Sequence, residues 1–202
     1  MKKLISTIMV CAVCLSFTAC ATETKSPEDG FSRLELVRSE MTDRIPMNDL
    51  EMLENFSHIA VVGKFVGDTV QDIEYEYNSF FEKDIITNVM SENTIKVSRV
   101  LMGNVNVGDE LQIVQRYAVV DDELITFSEL TPMQNGDEWI FFLRSVSDTD
   151  KYICSADCQS RFPTGESANR MMSLAERADL GVYEEVCFDW DIYNEIVEKY
   201  NV

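Results

Sequence analysis

The sequence predicts an α+β fold that is mainly β, a small antiparallel barrel or sandwich with helices before and after it. Between residues 58 and 154, apolar residues alternate with polar ones or form short β-branched runs, whereas nearer the two ends they recur at helical spacing. Turns rich in Gly, Asn and Asp separate the runs at short intervals, which is typical of barrels and sandwiches. The hydrophobic fraction of 46% and the charged fraction of 26% are those of an ordinary globular protein.

The N-terminal 20 residues predict export and lipidation. Lys2-Lys3 is followed by the apolar run Leu4–Phe17, which is too short to span a bilayer and has the length of a signal-peptide core. Thr18-Ala19-Cys20 resembles the end of a bacterial lipobox, although Phe17 stands where Leu is usual. We therefore expect residues 1–19 to be a signal peptide and Cys20 to carry the lipid; the alternative is an ordinary secretory peptide cut nearby.

The acidity of the chain belongs to the exported part. The whole chain has 17 basic and 36 acidic residues, and removal of residues 1–19 leaves a net charge of −21 over 183 residues. Such a chain is repelled by nucleic acid, so we expect no nucleic-acid partner. Residues 20–31 contain the lipidated Cys20 and the small, polar stretch Ala21–Gly30, which is typical of a tether. Residues 32–202 are expected to form one domain with its core at 48–162.

Two helical patterns precede the strands. Residues 32–35 have capping-box spacing, and Pro46 ends the pattern that follows. Its apolar residues lie on one helical face: Leu34, Val37, Met41 and Ile45. A second cap at Asn48-Asp49 opens a shorter helix with Leu50 and Leu53 on its apolar side.

Strands are predicted through the middle of the chain. His58–Val66 is β-branched and uncharged until Lys64, which is typical of a buried strand. Ile73, Tyr75 and Tyr77 alternate with polar residues, which predicts a half-exposed strand with an acidic outer face. Further strands are predicted at Thr94–Leu101, Glu110–Val120, Leu124–Phe127, Trp139–Leu143 and Tyr152–Cys154.

Two more helices are predicted at the C-terminal end, near Glu166–Asp179 and Trp190–Tyr200. Three cysteines in this part of the chain, Cys154, Cys158 and Cys187, could attach these helices to the barrel through a disulfide. Cys154 and Cys158 would lie about 13 Å apart on an extended strand, beyond disulfide reach unless a turn intervenes. If one bridge forms, we favour Cys158–Cys187, which would hold the C-terminal helices on the barrel. The alternative is three buried thiols.

The order of motifs in the strand region carries a resemblance. The motifs are His58–Phe65, Val97–Asn104 followed by Val107–Ile113, Leu130–Leu143 with Asn135-Gly136-Asp137-Glu138-Trp139, and Gln159-Ser160-Arg161-Phe162. Together they resemble a group of lipoproteins of Gram-positive bacteria, with Met102 and Ser160 in place of that group's Lys and Gly. The order is also similar to tissue inhibitors of metalloproteases and netrin-like modules, which are OB-type five-stranded barrels. The resemblance covers roughly residues 48–162.

The resemblance implies an OB-like barrel but not an activity, because such a barrel hosts many functions. In the metalloprotease inhibitors, the N-terminal Cys reaches the zinc of the enzyme through its amine and carbonyl groups. Here Cys20 is the expected lipid attachment point and is separated from the first strand by a tether and a helix. The disulfide framework of the inhibitors is absent as well.

The residue types leave few routes to catalysis. His58 is the only His, and no nucleophile motif or orienting group accompanies it, so we expect a strand-end His that faces solvent or bonds to the backbone. Carboxylates that could form acid/base pairs or calcium sites occur at Glu74/Glu76, Asp121/Asp122/Glu123, Asp137/Glu138 and Asp148/Asp150. None has EF-hand spacing. We expect solvated loops there, no metal site and no cofactor.

Two further patterns allow a functional or a structural interpretation. Tyr75, Tyr77, Phe80 and Phe81 would form either a ligand-stacking stripe or, as we favour, packing in the core and hairpin. The spacing of Gly63 and Gly67 is not that of a phosphate loop and indicates a strand bend.

The function predicted from the sequence is that of a non-enzymatic lipoprotein held by acylated Cys20 on the extracytoplasmic face of the cell membrane. Its barrel would bind an extracellular protein or an envelope component. The first alternative is a cell-envelope hydrolase that uses carboxylates on the barrel face. The second is a structural role, in which the helices pack only against their own barrel.

Overall fold

The computed structural model describes residues 35–38, 46–121, 123–126, 132–164 and 189–202. Within these ranges a single 3₁₀ turn, Asp157–Ser160, precedes the last strand. The strands and helices follow one another as β1 Glu35–Arg38, α1 Leu50–Asn55, β2 Ile59–Asn78, β3 Lys83–Met102, β4 Glu110–Gln115, β5 Tyr117–Val120, β6 Glu123–Thr126, β7 Glu138–Ser145, β8 Lys151–Cys154, β9 Arg161–Pro163 and α2 Trp190–Tyr200.

The central feature is a closed five-stranded barrel with the circular order β2-β3-β4-β8-β7, in which β7 pairs back onto β2. Neighbouring strands are antiparallel except β4 and β8, which are parallel. β9 extends the sheet along the edge of β7 that also pairs with β8. The predicted mainly β fold with an OB-like barrel and flanking helices is therefore confirmed.

Strand β7 is buried on both faces, which explains its unbroken apolar run from Trp139 to Leu143. Its odd-numbered residues Trp139, Phe141 and Leu143 belong to the cluster that fills the barrel. Its even-numbered residues Ile140 and Phe142 belong to a second cluster, which also contains buried residues of both helices: Leu50, Leu53, Ile192 and Ile196. Because side chains alternate along a strand, covering the outer face with helices allows both sets to be apolar.

The two helices are held by caps and by each other. The Asp49 side chain accepts a hydrogen bond from Met52 N at the start of α1, as the predicted cap requires. Asp189 caps α2, and the Arg99 guanidinium donates to the Tyr200 and Asn201 carbonyls at its end (2.6 and 2.9 Å). A cation at a helix C-terminus satisfies carbonyls that lack a partner inside the helix. The helix predicted at Trp190–Tyr200 is confirmed.

The helix predicted from residue 32 is wrong at Glu35–Arg38, which form β1. This strand pairs in parallel with Glu123–Thr126 of β6 in a separate three-stranded sheet of order β1-β6-β5. Pairing with a strand almost ninety residues away outweighed the local capping pattern, and the sequence gives no sign of it. The rest of that predicted helix, residues 39–45, lies outside the described residues, as does the predicted helix near Glu166–Asp179.

Two strand boundaries also differ from the prediction. The run Glu110–Val120 is interrupted at Arg116, so that β4 belongs to the barrel and β5 to the second sheet. The first predicted strand does not end at Val66 but continues to Asn78, with register shifts on either side of Gly67, whose φ is +101°. The bend predicted at Gly63 and Gly67 is confirmed by these irregularities.

Candidate functional site

The most prominent feature outside the barrel is a two-stranded arm formed by residues 70–92. Strands β2 and β3 are each 20 residues long, but β7 pairs only with Ile59–Lys64 and β4 only with Ser91–Lys96. In the arm, β2 and β3 pair with each other from Val70 opposite Glu92 to Asn78 opposite Lys83, and of these residues only Ser91 and Glu92 also pair with β4. At the usual rise per residue, the arm is about 26 Å long.

The second sheet covers only the lower part of this arm. Val89 of the arm is buried in a small apolar cluster with Ala118 and Ile125 of β5 and β6. The Gln71 side chain bonds to both backbone groups of Val119, accepting from its N–H at 2.8 Å and donating to its carbonyl at 3.1 Å. Ile73 is partly buried against the same cluster. The arm is thus fixed at its lower part before its outer end leaves the body of the protein.

The outer end carries four exposed aromatic side chains. Tyr75, Tyr77, Phe80 and Phe81 are 55%, 66%, 85% and 60% exposed. The prediction that they pack in the core is therefore wrong, although they do lie in a hairpin. Tyr75 pairs with Ile86 across the arm, on the face whose lower part packs on the second sheet. The second sheet does not extend to Tyr75 and Tyr77, so this end of the apolar face is exposed.

The turn at the tip is organised by Asn78. Its side-chain oxygen accepts hydrogen bonds from the backbone N–H groups of Phe80 and Phe81 at 3.0 and 3.1 Å. Glu82 closes the turn with a left-handed backbone, φ +52°. The two phenyl rings pack edge to face, with centroids 5.0 Å apart. The backbone of the tip is thus fixed by its own hydrogen bonds, and a preformed backbone lowers the entropy cost of binding.

The arm is also the place where the sequence-predicted pair Glu74/Glu76 lies. Both carboxylates are exposed beside the aromatic residues, together with Asp72, Glu82 and Asp84. Residues 72–84 hold five acids and one base, about twice the density of acids in the chain as a whole. Among the described residues, no side chain forms an ion pair with any of these five carboxylates.

The other carboxylate candidates lie apart from the arm and from one another. Asp148 and Asp150 are exposed in the turn between β7 and β8. Asp137 has a structural role, because its carboxylate accepts from Gln134 N at 2.8 Å and so shapes the turn before β7. Asp109 does the same for Asn106 N before β4, also at 2.8 Å. The Asp residues of the Gly108-Asp109 and Gly136-Asp137 motifs therefore stabilise turns.

Of the remaining acids, Glu138 accepts from the Ser98 hydroxyl at 2.8 Å on the barrel surface. Asp121 occupies the turn between β5 and β6 with a φ of +50°, and Glu123 begins β6. Asp122 lies outside the described residues. Within those residues, no group of three or more His, Cys, Asp and Glu side chains is arranged to hold a metal ion.

His58 is exposed just before β2 and contacts Ser145 at the end of β7. Its Nδ1 accepts the backbone N–H of Ser145 at 3.1 Å and lies 2.8 Å from the hydroxyl oxygen of that residue. This is the solvent-facing, backbone-bonded His that the sequence predicts. A Ser nucleophile with a His base would need a further group to orient the ring, and in the described part of the chain the ring has no other hydrogen-bond partner.

Cys154, the one cysteine whose side chain the structure describes, is a thiol that is 6% exposed at the end of β8. Cys158 lies in the 3₁₀ turn, so that a turn does separate the two residues. Cys20 and Cys187 lie outside the described residues. The Cys158–Cys187 bridge stays a prediction.

A buried polar cluster, which the sequence did not indicate, holds the root of the arm. The Tyr117 hydroxyl and the Thr69 hydroxyl both donate to the side-chain oxygen of Asn93, at 3.0 and 2.8 Å. Asn93 in turn donates to the side-chain oxygen of Gln115 at 3.1 Å. Burial raises the pKa of Tyr117 despite the bond to Asn93, so its hydroxyl stays protonated and keeps donating. These bonds join the arm to β4 and β5.

The last sequence motif, Gln159-Ser160-Arg161-Phe162, has a packing role. Arg161 is 4% exposed, and its guanidinium lies over the Trp139 ring, 4.3 Å from the centroid. Gln159 accepts a hydrogen bond from Met47 N at 3.3 Å. The motif therefore ties β9 to β7 and to the segment before α1.

None of the helices in the described ranges has the length and hydropathy needed to cross a membrane. Comparison of the chain with models of protein families, with curated protein sequences and with solved structures gave no match. Four of the five aromatic side chains that are exposed in the described ranges lie on the arm, and the fifth, Trp190, packs edge to face on Tyr193 of α2.

Proposed function

We propose that this chain is a non-enzymatic binding module, anchored to the outer face of the cell membrane through acylated Cys20, and that the arm is its binding surface. The observation that carries the proposal is the exposure of four aromatic side chains at the end of a fixed, preorganised hairpin. Contiguous exposed apolar groups on a soluble domain mark interaction sites. Tyr and Phe are also enriched at protein interfaces.

The shape of the arm supports binding rather than catalysis. Catalytic groups need to converge on one reacting atom from several elements. The carboxylate candidates from the sequence that the structure describes instead lie on the arm, in separate turns and on the barrel surface.

The membrane anchor rests on the sequence of residues 1–20. Mass spectrometry of the mature protein should find a diacylglycerol-modified Cys20 at its N-terminus, and Cys20→Ala should move the protein out of the membrane fraction. An unmodified N-terminus, or unchanged attachment of the variant, would disprove the anchor.

The binding surface is tested by photo-crosslinking from the full-length protein in its own cells. A benzophenone amino acid replaces Phe80 at the tip or Val107, which is 66% exposed in the turn between β3 and β4. Val107 is the matched control, since that turn lies at the end of the barrel away from the arm. We expect a discrete protein adduct from position 80 and none from position 107. Identical adduct patterns from both positions would refute a binding role for the arm.

A further inference from the structure

We infer that the arm binds a polypeptide surface rich in Arg and Lys; this inference rests on the proposed function and specifies its partner. The arm combines the two groups that recognise such cations. Carboxylates pair with guanidinium and ammonium groups, and the faces of aromatic rings attract the same groups through cation–π contacts. Both kinds of group are exposed between residues 72 and 84.

The pairing register places the two kinds of group along one short ribbon. Tyr75 lies opposite Ile86 and Tyr77 opposite Asp84, so that one face carries two phenol rings with a carboxylate next to the outer ring. Glu76 lies opposite Ile85 on the other face. A cationic side chain that lies against the Tyr77 ring is therefore within reach of Asp84, and Glu74 and Glu76 offer carboxylates to further cations on the other face of the same ribbon.

Charge decides between this partner and the other candidates for an exposed aromatic tip. A bilayer rich in anionic lipid would repel the net charge of −4 carried by residues 72–84. A second copy of the arm would bring the same charge against itself, and like charges placed opposite one another are destabilising. A cationic surface gains both attractions and draws the partners together at long range.

The test uses the full-length protein and a synthetic peptide in which Arg and Lys alternate with Gly and Ser. Glu74→Gln with Glu76→Gln removes two charges and should weaken peptide binding about fivefold, the scale of two exposed ion pairs. Tyr75→Ser with Tyr77→Ser keeps every charge and should weaken binding about tenfold, through the loss of two cation–π contacts. Both pairs are exposed, so thermal melting should be unchanged.

The matched control is Asp148→Asn with Asp150→Asn, which removes the same charge from the turn after β7. Because Leu143 of β7 pairs with Ile59 at the start of β2, this turn lies at the end of the barrel away from the arm. The control should leave the affinity for the peptide unchanged. Equal losses from the control and from the Glu74/Glu76 variant would mean that net charge alone attracts the peptide, and would overturn the inference.

Three other results would also overturn it: tighter binding of a second peptide in which Glu replaces every Arg and Lys, tip-dependent binding to anionic phosphatidylglycerol vesicles, or tip-dependent dimerisation in sedimentation. The proposed function fails separately. If residue 80 crosslinks to a protein while the arm variants bind the cationic peptide as tightly as the unchanged protein does, the arm is a binding surface with a partner of different chemistry. If residue 80 gives no adduct beyond that of residue 107, the binding function itself is wrong.

Discussion

Gly63 offers the sharpest test of how the barrel is packed. A Cβ added at Gly63 would overlap the Cδ1 atom of Ile95 and lie 3.3 Å from the Cβ and Cγ1 atoms of the same side chain. Ile95 is fully buried inside the barrel, so its terminal methyl can turn away only by repacking against other core side chains. Overpacking of this kind costs about 1–3 kcal/mol, and we expect Gly63→Ala to destabilise the protein within that range.

Shortening the side chain of Ile95 tests whether its overlap with the new methyl group causes the loss of stability in Gly63→Ala. Ile95→Val removes the Cδ1 atom that the new methyl would overlap, at a cost of about 0.5–1.5 kcal/mol by itself. The double variant should therefore be more stable than the sum of the two single changes predicts, with a coupling energy of about 1–2 kcal/mol. Urea unfolding gives the free energy of unfolding of the unchanged protein, the two single variants and the double variant. The transition is followed by tryptophan fluorescence, to which Trp139, 1% exposed in the folded protein, contributes.

A matched control separates steric overlap from backbone strain. Gly136 has a φ of +92° and no atom within 4 Å of an added Cβ, so Gly136→Ala costs stability through its backbone alone. Combined with Ile95→Val, it should be additive. If Gly63→Ala is also additive with Ile95→Val, to within about 0.5 kcal/mol, the overlap with Ile95 is not the reason that Gly occupies position 63.

Three further predictions concern the helices and the thiol. Asp49→Ala removes the cap of α1 and should lower the free energy of unfolding in urea by about 1 kcal/mol, whereas Asp49→Asn, which keeps the acceptor, should not. Burial and the hydrogen bond to Glu54 raise the pKa of Tyr200 above its usual 10.0. Its contribution to stability is thus present below pH 10 and lost as pH rises further, so melting temperatures above pH 10 should fall more steeply for the unchanged chain than for Tyr200→Phe; parallel curves would refute this. The Cys154 thiol should resist maleimide in the folded protein and react in urea, and equal labelling rates would contradict its burial.

The strands and turns of the barrel could be predicted from the sequence because their signals are local, whereas the OB-like barrel itself is implied by the resemblance in the order of the motifs. The run from Trp139 to Leu143 shows a buried strand, and Asn135-Gly136-Asp137 shows the turn before it. Asp49 with Leu50 and Leu53 shows a capped helix with one apolar side. In each case the residues that decide the structure lie within a few positions of one another.

Features that depend on distant partners could not be predicted. Residues 35–38 form a strand because residues 123–126 lie beside them, and Arg116 separates two strands because β5 joins a different sheet. Gln71 is fixed by the backbone of Val119. The sequence around each of these residues does not identify the distant segment with which it pairs.

The arm shows why an aromatic pattern alone does not separate a core from a binding surface. Ile73, Tyr75 and Tyr77 alternate in the manner of a strand with one face buried, and the face is in fact partly buried as far as Ile73 on β2 and Ile86 on β3. Whether Tyr75 and Tyr77 are covered depends on how far β5 and β6 extend along this face, and these strands have four residues each. That length is set elsewhere in the chain, at Arg116 and at the turn around Asp121. A single strand therefore carries one apolar face from the packed base of the arm to its exposed end.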